Sequence, residues 1–522
     1  MISRVRTGAA GLMMLALSLA GCGGDGGPVE PPIVNPPEQR PTLPPDYRAS
    51  GHAAAGDVFV HLFEWKWPDV AEECENVLGP AGYAAVQVSP PQEHLVQQGA
   101  PWWQRYQPVS YSVALSRSGT GVEFSSMISR CKAAGVDVYV DAVINHMTGG
   151  AGVGNNGTAY TKYNYPGLYT AADFHPPCAV GDYTSAANVQ DCELLGLADL
   201  NTGAAGVQQK IADYLISLAR LGVAGFRIDA AKHIQPVELD AIVDRVNQTL
   251  AVEGRPIPYW FAEVIDNGGE GVRREHYYGL GYGTGGAADV TEFRYKGVGD
   301  KFLGISGQRL VDLRNFSAAT WNLMPSDKAV VFLENHDTQR NGGIGYRDGT
   351  TFRLANVWML AQPYGYPSVM SSYAFDRSSP FGRDAGPPTD DNATKDVVCA
   401  PTLETAVLGT WVCEHRDPII LRMVEFRRAM VGTDVSRWWD NGGNAIAFSR
   451  GDRGFVAISR EPQRTTAAVQ TGMSPGTYCD ILTGGKVGDA CAGTSVTVNS
   501  QGVVQLSIVE NSALVIHLGA RL

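Results

Sequence analysis

The stretch from Gly222 to His233 changes from apolar to charged within a few residues. If its apolar half is a β-strand, Arg227 and Asp229 point to one face, because alternate residues of a strand share a face. A guanidinium beside a carboxylate favours the ionised carboxylate, the form that a carboxylate nucleophile requires. A structural ion pair in a buried network is the alternative interpretation of the same two residues.

Two further carboxylates, Glu263 and Asp337, also follow apolar runs. Trp260 and Phe261 precede Glu263, and we expect these rings to keep its carboxyl group protonated at neutral pH. One ionised carboxylate and one that gives and takes a proton are the groups that retaining glycoside hydrolysis uses, about 5–5.5 Å apart. The three carboxylates therefore predict cleavage of a glycosidic bond.

An aromatic cluster between two prolines offers flat apolar faces with polar edges, which stack well on pyranose rings. Its members are Trp102, Trp103, Tyr106 and Gln107. For Trp102 a packing role in the core is an equally good interpretation. Trp103 and Tyr106 lie in the proline-flanked loop and are predicted to contact a ligand.

The carboxylates converge only if parallel strands position them. Eight apolar runs are predicted strands: Val58–Phe63, Ala84–Ser89, Val136–Ile144, Gly225–Asp229, Tyr259–Glu263, Asp289–Phe293, Val330–Leu333 and Gly365–Met370. In the fourth, Gly222 and Gly225 are expected to keep a buried strand narrow. Helical periodicity falls between most of the strands, for example over Gln208–Leu221, which indicates an α/β fold of the (β/α)8 TIM-barrel type with its active site at the carboxyl ends of the strands.

The predicted domains are a barrel interrupted once and followed by a second fold. The barrel comprises 56–145 and 201–430, and the long connection 146–200 after strand 3 reads as an inserted subdomain. After residue 431, short alternating strands without helices indicate an antiparallel β-sandwich over 431–522. They are Ala445–Ser449, Gly454–Ile458, Val496–Val498, Val503–Ile508 and Ala513–His517.

The N-terminus resembles a bacterial secretory signal. Basic residues precede an apolar run over 9–20, which ends in Leu19-Ala20-Gly21-Cys22, similar to a lipobox. Cys22 is therefore the predicted lipidation site of a protein anchored at the cell surface or outer membrane. Ordinary cleavage, leaving Cys22 unmodified, is the alternative. The Pro- and Gly-rich segment 23–55 reads as an extended tether.

Composition excludes several classes of partner. The 522-residue chain has 41 basic and 53 acidic residues, a formal charge of −12, and no basic block. Nucleic acid and anionic lipid are therefore poor partners.

Eight cysteines remain beside Cys22, an even number that suits disulfides in an oxidising compartment. Proximity suggests some pairs, but spacing does not determine connectivity, and free buried thiols remain an alternative.

Four segments together resemble the signature regions of the α-amylase family of glycoside hydrolases. They read Asp-Ala-Val-Ile-Asn-His (141–146), Gly-Phe-Arg-Ile-Asp-Ala-Ala-Lys-His (225–233), Phe-Ala-Glu-Val-Ile-Asp (261–266) and Phe-Leu-Glu-Asn-His-Asp (332–337). Further matches at 87–91, 102–110 and 369–373 are similar to the branch that contains animal and some bacterial members. The resemblance covers nearly everything after residue 56.

The resemblance implies a role for each matching residue. Asp229 would be the nucleophile, Glu263 the general acid/base, and Asp337 a carboxylate that holds the distorted sugar. Arg227 would orient Asp229, and His146 and His336 would bind hydroxyls of the sugar at the cleavage point. Lys232, His233 and Glu270 would line the side that binds the leaving portion of the chain.

The resemblance also implies two ion sites. Calcium would be bound by the side chains of Asn145 and Asp199 and by the backbone carbonyls of Gln190 and His233, an oxygen-only set that suits a hard cation. Many members of the branch bind chloride through residues that match Arg227 and Asn335 and through a basic residue. Ser368 stands at that third position, so little or no chloride activation is expected.

The same resemblance implies four disulfides, Cys74–Cys131, Cys178–Cys192, Cys399–Cys413 and Cys479–Cys491, whereas Met147 and Thr148 stand where a further bridge of the branch would be.

The expected activity is endo-hydrolysis of α-1,4-glucosidic bonds in starch, glycogen and maltooligosaccharides by a secreted monomer. One rival is a maltooligosaccharide-forming enzyme or transglycosylase of the family. The other is a non-catalytic surface protein that binds glucan.

Overall fold

The structure is a computed structural model that describes residues 56–278 and 288–522. The predicted signal peptide with Cys22 and the linker 23–55 lie outside the described residues. Within the described part of the chain, no helix is long and apolar enough to cross a membrane.

Eight parallel strands close into a barrel in chain order. They are β1 (Phe59–Leu62), β2 (Ala85–Val88), β3 (Asp137–Ala142), β4 (Gly225–Ile228), β5 (Tyr259–Ala262), β6 (Asp289–Thr291), β7 (Ala329–Val331) and β8 (Tyr366–Ser371). Aromatic side chains from four strands fill the interior, including Phe59, Tyr139, Phe261 and Tyr366. The barrel is a packed core, so a substrate can bind only at its end. The predicted TIM barrel is confirmed.

Helices cover the outside of the barrel. They are α1 (Trp67–Glu73), α2 (Gly121–Ala133), α3 (Ala205–Leu221), α4 (Pro236–Val252), α5 (Lys296–Leu303), α6 (Thr350–Ala361) and α7 (Pro418–Ala429). Between β5 and β6, the described residues contain one 3₁₀ turn, Arg274–His276, and no α-helix. The helix predicted over Gln208–Leu221 begins slightly earlier, at Ala205.

Gly222 has a different role from the one predicted. It ends α3 in the left-handed conformation, with φ 110°, and strand β4 begins three residues later at Gly225. Such a glycine commonly follows the last helical residue, because it adopts positive φ without a Cβ penalty. Gly225 is the residue that keeps the strand narrow, since a Cβ there would lie 2.6 Å from the ring of Tyr139.

The connection after β3 forms a small irregular layer over the barrel. The strand His146–Met147 pairs with Ala198–Asp199, and Ala151–Val153 pairs with Ala159–Thr161. A short helix, Ala186–Gln190, lies beside the Cys178–Cys192 disulfide. The other implied disulfides, Cys74–Cys131, Cys399–Cys413 and Cys479–Cys491, are also present.

The C-terminal region is an antiparallel β-sandwich, as predicted. One sheet contains β9 (Val435–Asp440), β10 (Ala445–Arg450), β11 (Gly454–Ser459) and β16 (Ser512–His517), and the other contains β12 (Thr465–Gln470), β15 (Val503–Ile508), β14 (Ser495–Val498) and β13 (Gly476–Cys479). Apolar residues from both sheets, such as Phe455 and Leu506, share one core. The domain boundaries given above remain a proposal.

Candidate active site

Arg227 on β4 is the centre of the site. Its Nη1 lies 2.9 Å from Oδ1 of Asp229 and 2.6 Å from Oδ1 of Asp141, and its Nη2 lies 2.7 Å from Oε1 of Glu263. All four side chains are buried. The register of the sheet produces this arrangement, because Arg227 lies opposite Asp141 on β3 and Phe261 on β5. Asp229 and Glu263 therefore meet on one guanidinium.

The surroundings of Glu263 differ from the prediction. The carboxylate contacts two donors, Nη2 of Arg227 and the backbone N–H of Ala230 at 2.9 Å. Trp260 points to the opposite side of the strand, where its indole N–H donates to Asn247. Phe261 lies deeper in the barrel interior. Residues next to each other in a strand alternate between faces, so an aromatic neighbour in sequence need not surround the carboxylate.

Asp337 and His336 follow β7 on the same rim. Nε2 of His336 lies 3.4 Å from Oδ2 of Asp337, and the imidazole stacks between the rings of Phe63 and Tyr106, with centroids 4.9 and 5.1 Å away. Among the described residues, Oδ1 of Asp337 and Nδ1 of His336 are buried without a hydrogen-bond partner. Hydroxyl groups of a bound sugar would satisfy these two atoms.

Burial and mutual repulsion control protonation in the cluster. Burial, together with nearby Glu263 and Asp141, raises the pKa of Asp229 well above its usual value, while Arg227 opposes this shift. Burial and the charge of Glu263 raise the pKa of Asp337 to about 7. Arg227, joined by Arg340 at Asp337, does not balance four buried carboxylates, so the cluster holds a proton near neutral pH. A proton held among carboxylates is what general acid catalysis needs.

His146 and Tyr106 are positioned by hydrogen bonds from neighbouring segments. The Tyr106 hydroxyl donates to Oδ2 of Asp141 at 2.9 Å, and Nε2 of His146 lies 2.9 Å from the Tyr106 carbonyl oxygen. Burial lowers the pKa of His146 to about 4, and burial and Arg227 lower the pKa of His336 well below its usual value. Both rings are therefore neutral, as suits hydrogen bonding to hydroxyls.

The predicted aromatic cluster lies beside the carboxylates but is more buried than expected for an open platform. Trp102 is 2% exposed and Trp103 is 9% exposed. Both indole N–H groups lack a partner among the described residues. Gln107 accepts from the Thr148 hydroxyl at 2.9 Å, which ties it to the inserted segment.

Lys232, Glu270 and His233 lie where the loops after β4 and β5 meet the inserted segment. The Lys232 ammonium contacts the Glu270 carboxylate and lies 4.9 Å from the ring centroid of Tyr183. Nδ1 of His233 lies 2.7 Å from the Val189 carbonyl oxygen. These contacts join three separate segments at one end of the site.

The predicted calcium ligands are brought together in two pairs. In the first pair, Nδ2 of Asn145 lies 3.5 Å from Oδ1 of Asp199. In the second, His233 lies near Gln190, because its Nδ1 contacts the carbonyl oxygen of Val189, the residue before Gln190. All four residues are buried. Burial raises the pKa of Asp199 to about 6, although a hydrogen bond with His175 opposes the shift. The buried Asp199 carboxylate and the amide oxygen of Asn145 are donors of the kind that a hard divalent cation prefers.

The residues matched to a chloride site line a cavity of about 20 Å³ inside the barrel. Arg227, Asn335 and Ser368 contribute to its wall, with His61 and Gln87. Arg227 already contacts three carboxylates, and the amide oxygen of Asn335 accepts from the backbone N–H groups of Asp337 and Thr338. The donor set is therefore short of positive charge for an anion.

Sequence analysis missed three residues that shape the site. Asp141 binds Arg227, and the available signal was that Asp141 begins the signature segment 141–146. Tyr183 packs against Lys232 from an irregular segment that gives no periodic signal. Arg340 lies over Trp102, 4.5 Å from the ring centroid, and its Nη1 donates to the His336 carbonyl oxygen.

Comparisons with known proteins agree with this geometry. Residues 82–255 match the family model described as alpha amylase, catalytic domain, and 438–519 match alpha amylase, C-terminal all-beta domain. The chain is 43% identical to an α-amylase of Tribolium castaneum over 90% of this chain and 96% of the relative. It is 41% identical to pancreatic α-amylase of Sus scrofa, over 89% and 94%.

A solved structure shows the same similarity. A mutant of α-amylase I from Eisenia fetida, crystallised in complex with maltohexaose, superposes with a TM-score of 0.81 at 39% identity. The match covers 88% of this chain and 97% of that one. The chain has three converging carboxylates on a TIM barrel that is followed by a β-sandwich, and its relatives match over most of both chains. It therefore belongs to the α-amylase family of glycoside hydrolases.

Proposed function

We propose that the chain hydrolyses internal α-1,4-glucosidic bonds of starch, glycogen and maltooligosaccharides through a covalent intermediate on Asp229. Its carboxylate oxygen attacks the anomeric carbon while Glu263 donates a proton to the glycosidic oxygen, and the leaving chain departs. Water then attacks the same carbon, Glu263 takes its proton, and Asp229 is released. Two inversions at one carbon give net retention.

The joint contact of Asp229 and Glu263 with Arg227 carries this proposal. This contact holds the proposed nucleophile and the proposed acid/base against one guanidinium. A retaining mechanism requires these two carboxyl groups to lie close together. Asp337 and His336 then supply the unpartnered atoms for sugar hydroxyls. These hydrogen bonds would hold the distorted sugar as positive charge develops at the anomeric carbon.

Calcium is the cofactor that we propose, bound by Asn145, Asp199 and the carbonyls of Gln190 and His233. The ion would supply structural crosslinking between barrel and inserted segment. His146 is next to Asn145 and pairs with Asp199 across the short sheet, so a rigid calcium site would also fix the imidazole. We do not include chloride among the cofactors.

The remaining proposals concern the whole protein. We propose that the chain is secreted as a monomer and anchored by a lipid on Cys22, with segment 23–55 as the tether. Its partners are then glucans, and its only membrane contact is the lipid. The family rival, a maltooligosaccharide-forming enzyme or transglycosylase, differs in its products, and a profile of the products released from starch distinguishes the two.

The test compares the protein lacking residues 1–22 with Asp229→Asn and Asp213→Asn on soluble starch in calcium. Viscosity should fall before much reducing sugar appears, because cuts inside the chain shorten it quickly. Asp229→Asn should lose about four or more orders of magnitude in kcat. Asp213 is exposed on α3, so Asp213→Asn should match the parent. Starch binding without release of reducing ends, in the parent protein, would identify a glucan-binding protein instead.

A further inference from the structure

The loop after β5 touches the inserted segment backbone to backbone at Gly271. Its N–H donates to the Tyr183 carbonyl oxygen at 2.8 Å. A Cβ on Gly271 would lie 2.4 Å from the Thr184 carbonyl oxygen and 2.7 Å from the Ala186 nitrogen. Real Cβ atoms do not approach backbone so closely, so the contact exists in this form only with glycine.

The residues beside this contact hold one ammonium group from two sides. Glu270 precedes Gly271 in the β5 loop, and its carboxylate pairs with Lys232. Tyr183 accepts the hydrogen bond from Gly271, and its ring faces the same ammonium at 4.9 Å. The Lys232 ammonium also donates to the Ile265 carbonyl oxygen at 2.8 Å. The separation of the two segments at Gly271 therefore sets the spacing of the groups around Lys232.

We propose that Gly271 is a positioning residue that sets the width of the leaving-group side of the cleft, and thereby where a short glucan is cut. The inference rests on the proposed placement of Lys232 and Glu270 on that side. Lys232 is only three residues from Asp229, so a change in spacing here acts close to the bond that breaks. Gly271 itself touches no reacting atom.

Glucan binding explains why this spacing affects the products. A short glucan can bind in several positions, and the side that binds sugars more tightly holds more of them. If the leaving-group side is widened, that side binds more weakly and the glucan shifts toward the other side. The bond that is cut then lies nearer the reducing end, and the released reducing-end fragment is shorter.

The experiment uses Gly271→Ala and maltopentaose labelled at its reducing end. The new methyl group must move about 1 Å to reach ordinary contact with Thr184, which separates the two segments. We expect the ratio of short to long labelled products to rise about 3- to 10-fold, which is a modest change in relative binding. KM for maltopentaose should rise while kcat stays within about threefold, because the carboxylates are not moved.

Gly181→Ala is the matched control, because it adds the same methyl group two residues from Tyr183 where no atom lies within 4 Å. Its products should equal those of the parent. Unchanged products from Gly271→Ala, or an equal shift in Gly181→Ala, would overturn the inference.

Two further variants keep the test decisive. Lys232→Met should shift the products in the same direction, and if it does not, the proposed leaving-group side is wrong and the inference falls with it.

Asn188 holds the loop of Tyr183 through its amide oxygen, which accepts from Gly181 and Asp182 at 2.8 Å. If Gly271→Ala fails to fold, Asn188→Ala decides: a shift to shorter products supports the inference, and unchanged products overturn it.

Discussion

At the scale of single residues, Arg227 contacts Asp229, the proposed nucleophile, Glu263, the proposed acid/base, and Asp141 at once, and all of these groups are buried. The positions of Asp229 and Glu263 could be predicted, because strand alternation and the ends of parallel strands determine them. The partners of Glu263 could not. They come from the neighbouring strand β4 and the residues directly after it, whereas the sequence shows only neighbours along the chain, whose side chains alternate in direction.

We predict that Arg227→Gln lowers kcat/KM by about 100-fold or more, because it leaves buried carboxylates without their positive partner. Since Arg227 lowers the pKa of Asp229, its removal raises that pKa further. The acidic limb of the kcat/KM profile should therefore move to higher pH. Arg220→Gln, on the surface beside Glu253, is the control and should keep the parent profile. An unmoved limb in Arg227→Gln would show that Arg227 does not tune the nucleophile.

We also predict that chloride leaves the activity of the dialysed enzyme nearly unchanged. Ser368 adds no positive charge to the cavity, and Arg227 is already paired with carboxylates. Starch hydrolysis should be titrated with sodium chloride against sodium nitrate and sodium fluoride at constant ionic strength. A large rise that is specific to chloride would contradict the account.

At the scale of elements, the strands and helices that bury both faces were predicted from apolar runs, and the missed strands are at sheet edges. β9, β12 and β13 each end a sheet, so they alternate polar residues with few apolar ones. Edge strands commonly carry such residues, which hides them from a search for apolar runs. The inserted segment was recognised by its length, but its irregular backbone left Tyr183 without any predictable position.

Calcium should stabilise the inserted segment. Removing it with a chelator should lower the Tm and speed proteolytic cleavage within 146–200, since an ion that binds only the folded state adds stability by mass action. Asp199→Asn should have a lower Tm in calcium and a much smaller response to the chelator. Asp213→Asn, on an exposed site of α3, should respond as the parent does. Equal responses of parent and Asp199→Asn would place the calcium elsewhere.

At the scale of the whole molecule, arginines join the barrel to the β-sandwich. Arg450 on β10 donates to the carbonyl oxygen of Ala361, the last residue of α6, and to those of Met430 and Thr433 at 3.2 and 2.9 Å. The carbonyls of Ala361 and Met430 lie at the ends of α6 and α7, where helices leave acceptors unpaired. The fold of each region was predictable from its own pattern. This interface was not, because its contacts run from one side chain to distant backbone.

We predict that Arg450→Met destabilises the protein by about 2–4 kcal/mol, because it leaves several buried carbonyl groups without donors while keeping a side chain of similar length. Unfolding by urea, followed by tryptophan fluorescence, should show an earlier transition. Arg464→Met, on an exposed site of the sandwich, should leave the transition unchanged. If Arg450→Met unfolds like the parent, the arginine does not hold the two regions together.

In the proposed mechanism, Asp229 forms a covalent intermediate, and the anomeric configuration is therefore retained. The most direct measurement is proton NMR of the first products released from maltopentaose, recorded before mutarotation. We predict the α-anomer first, with no product from Asp229→Asn in the same time. The β-anomer first would contradict it, because a single inversion would mean that water, not Asp229, attacks the sugar.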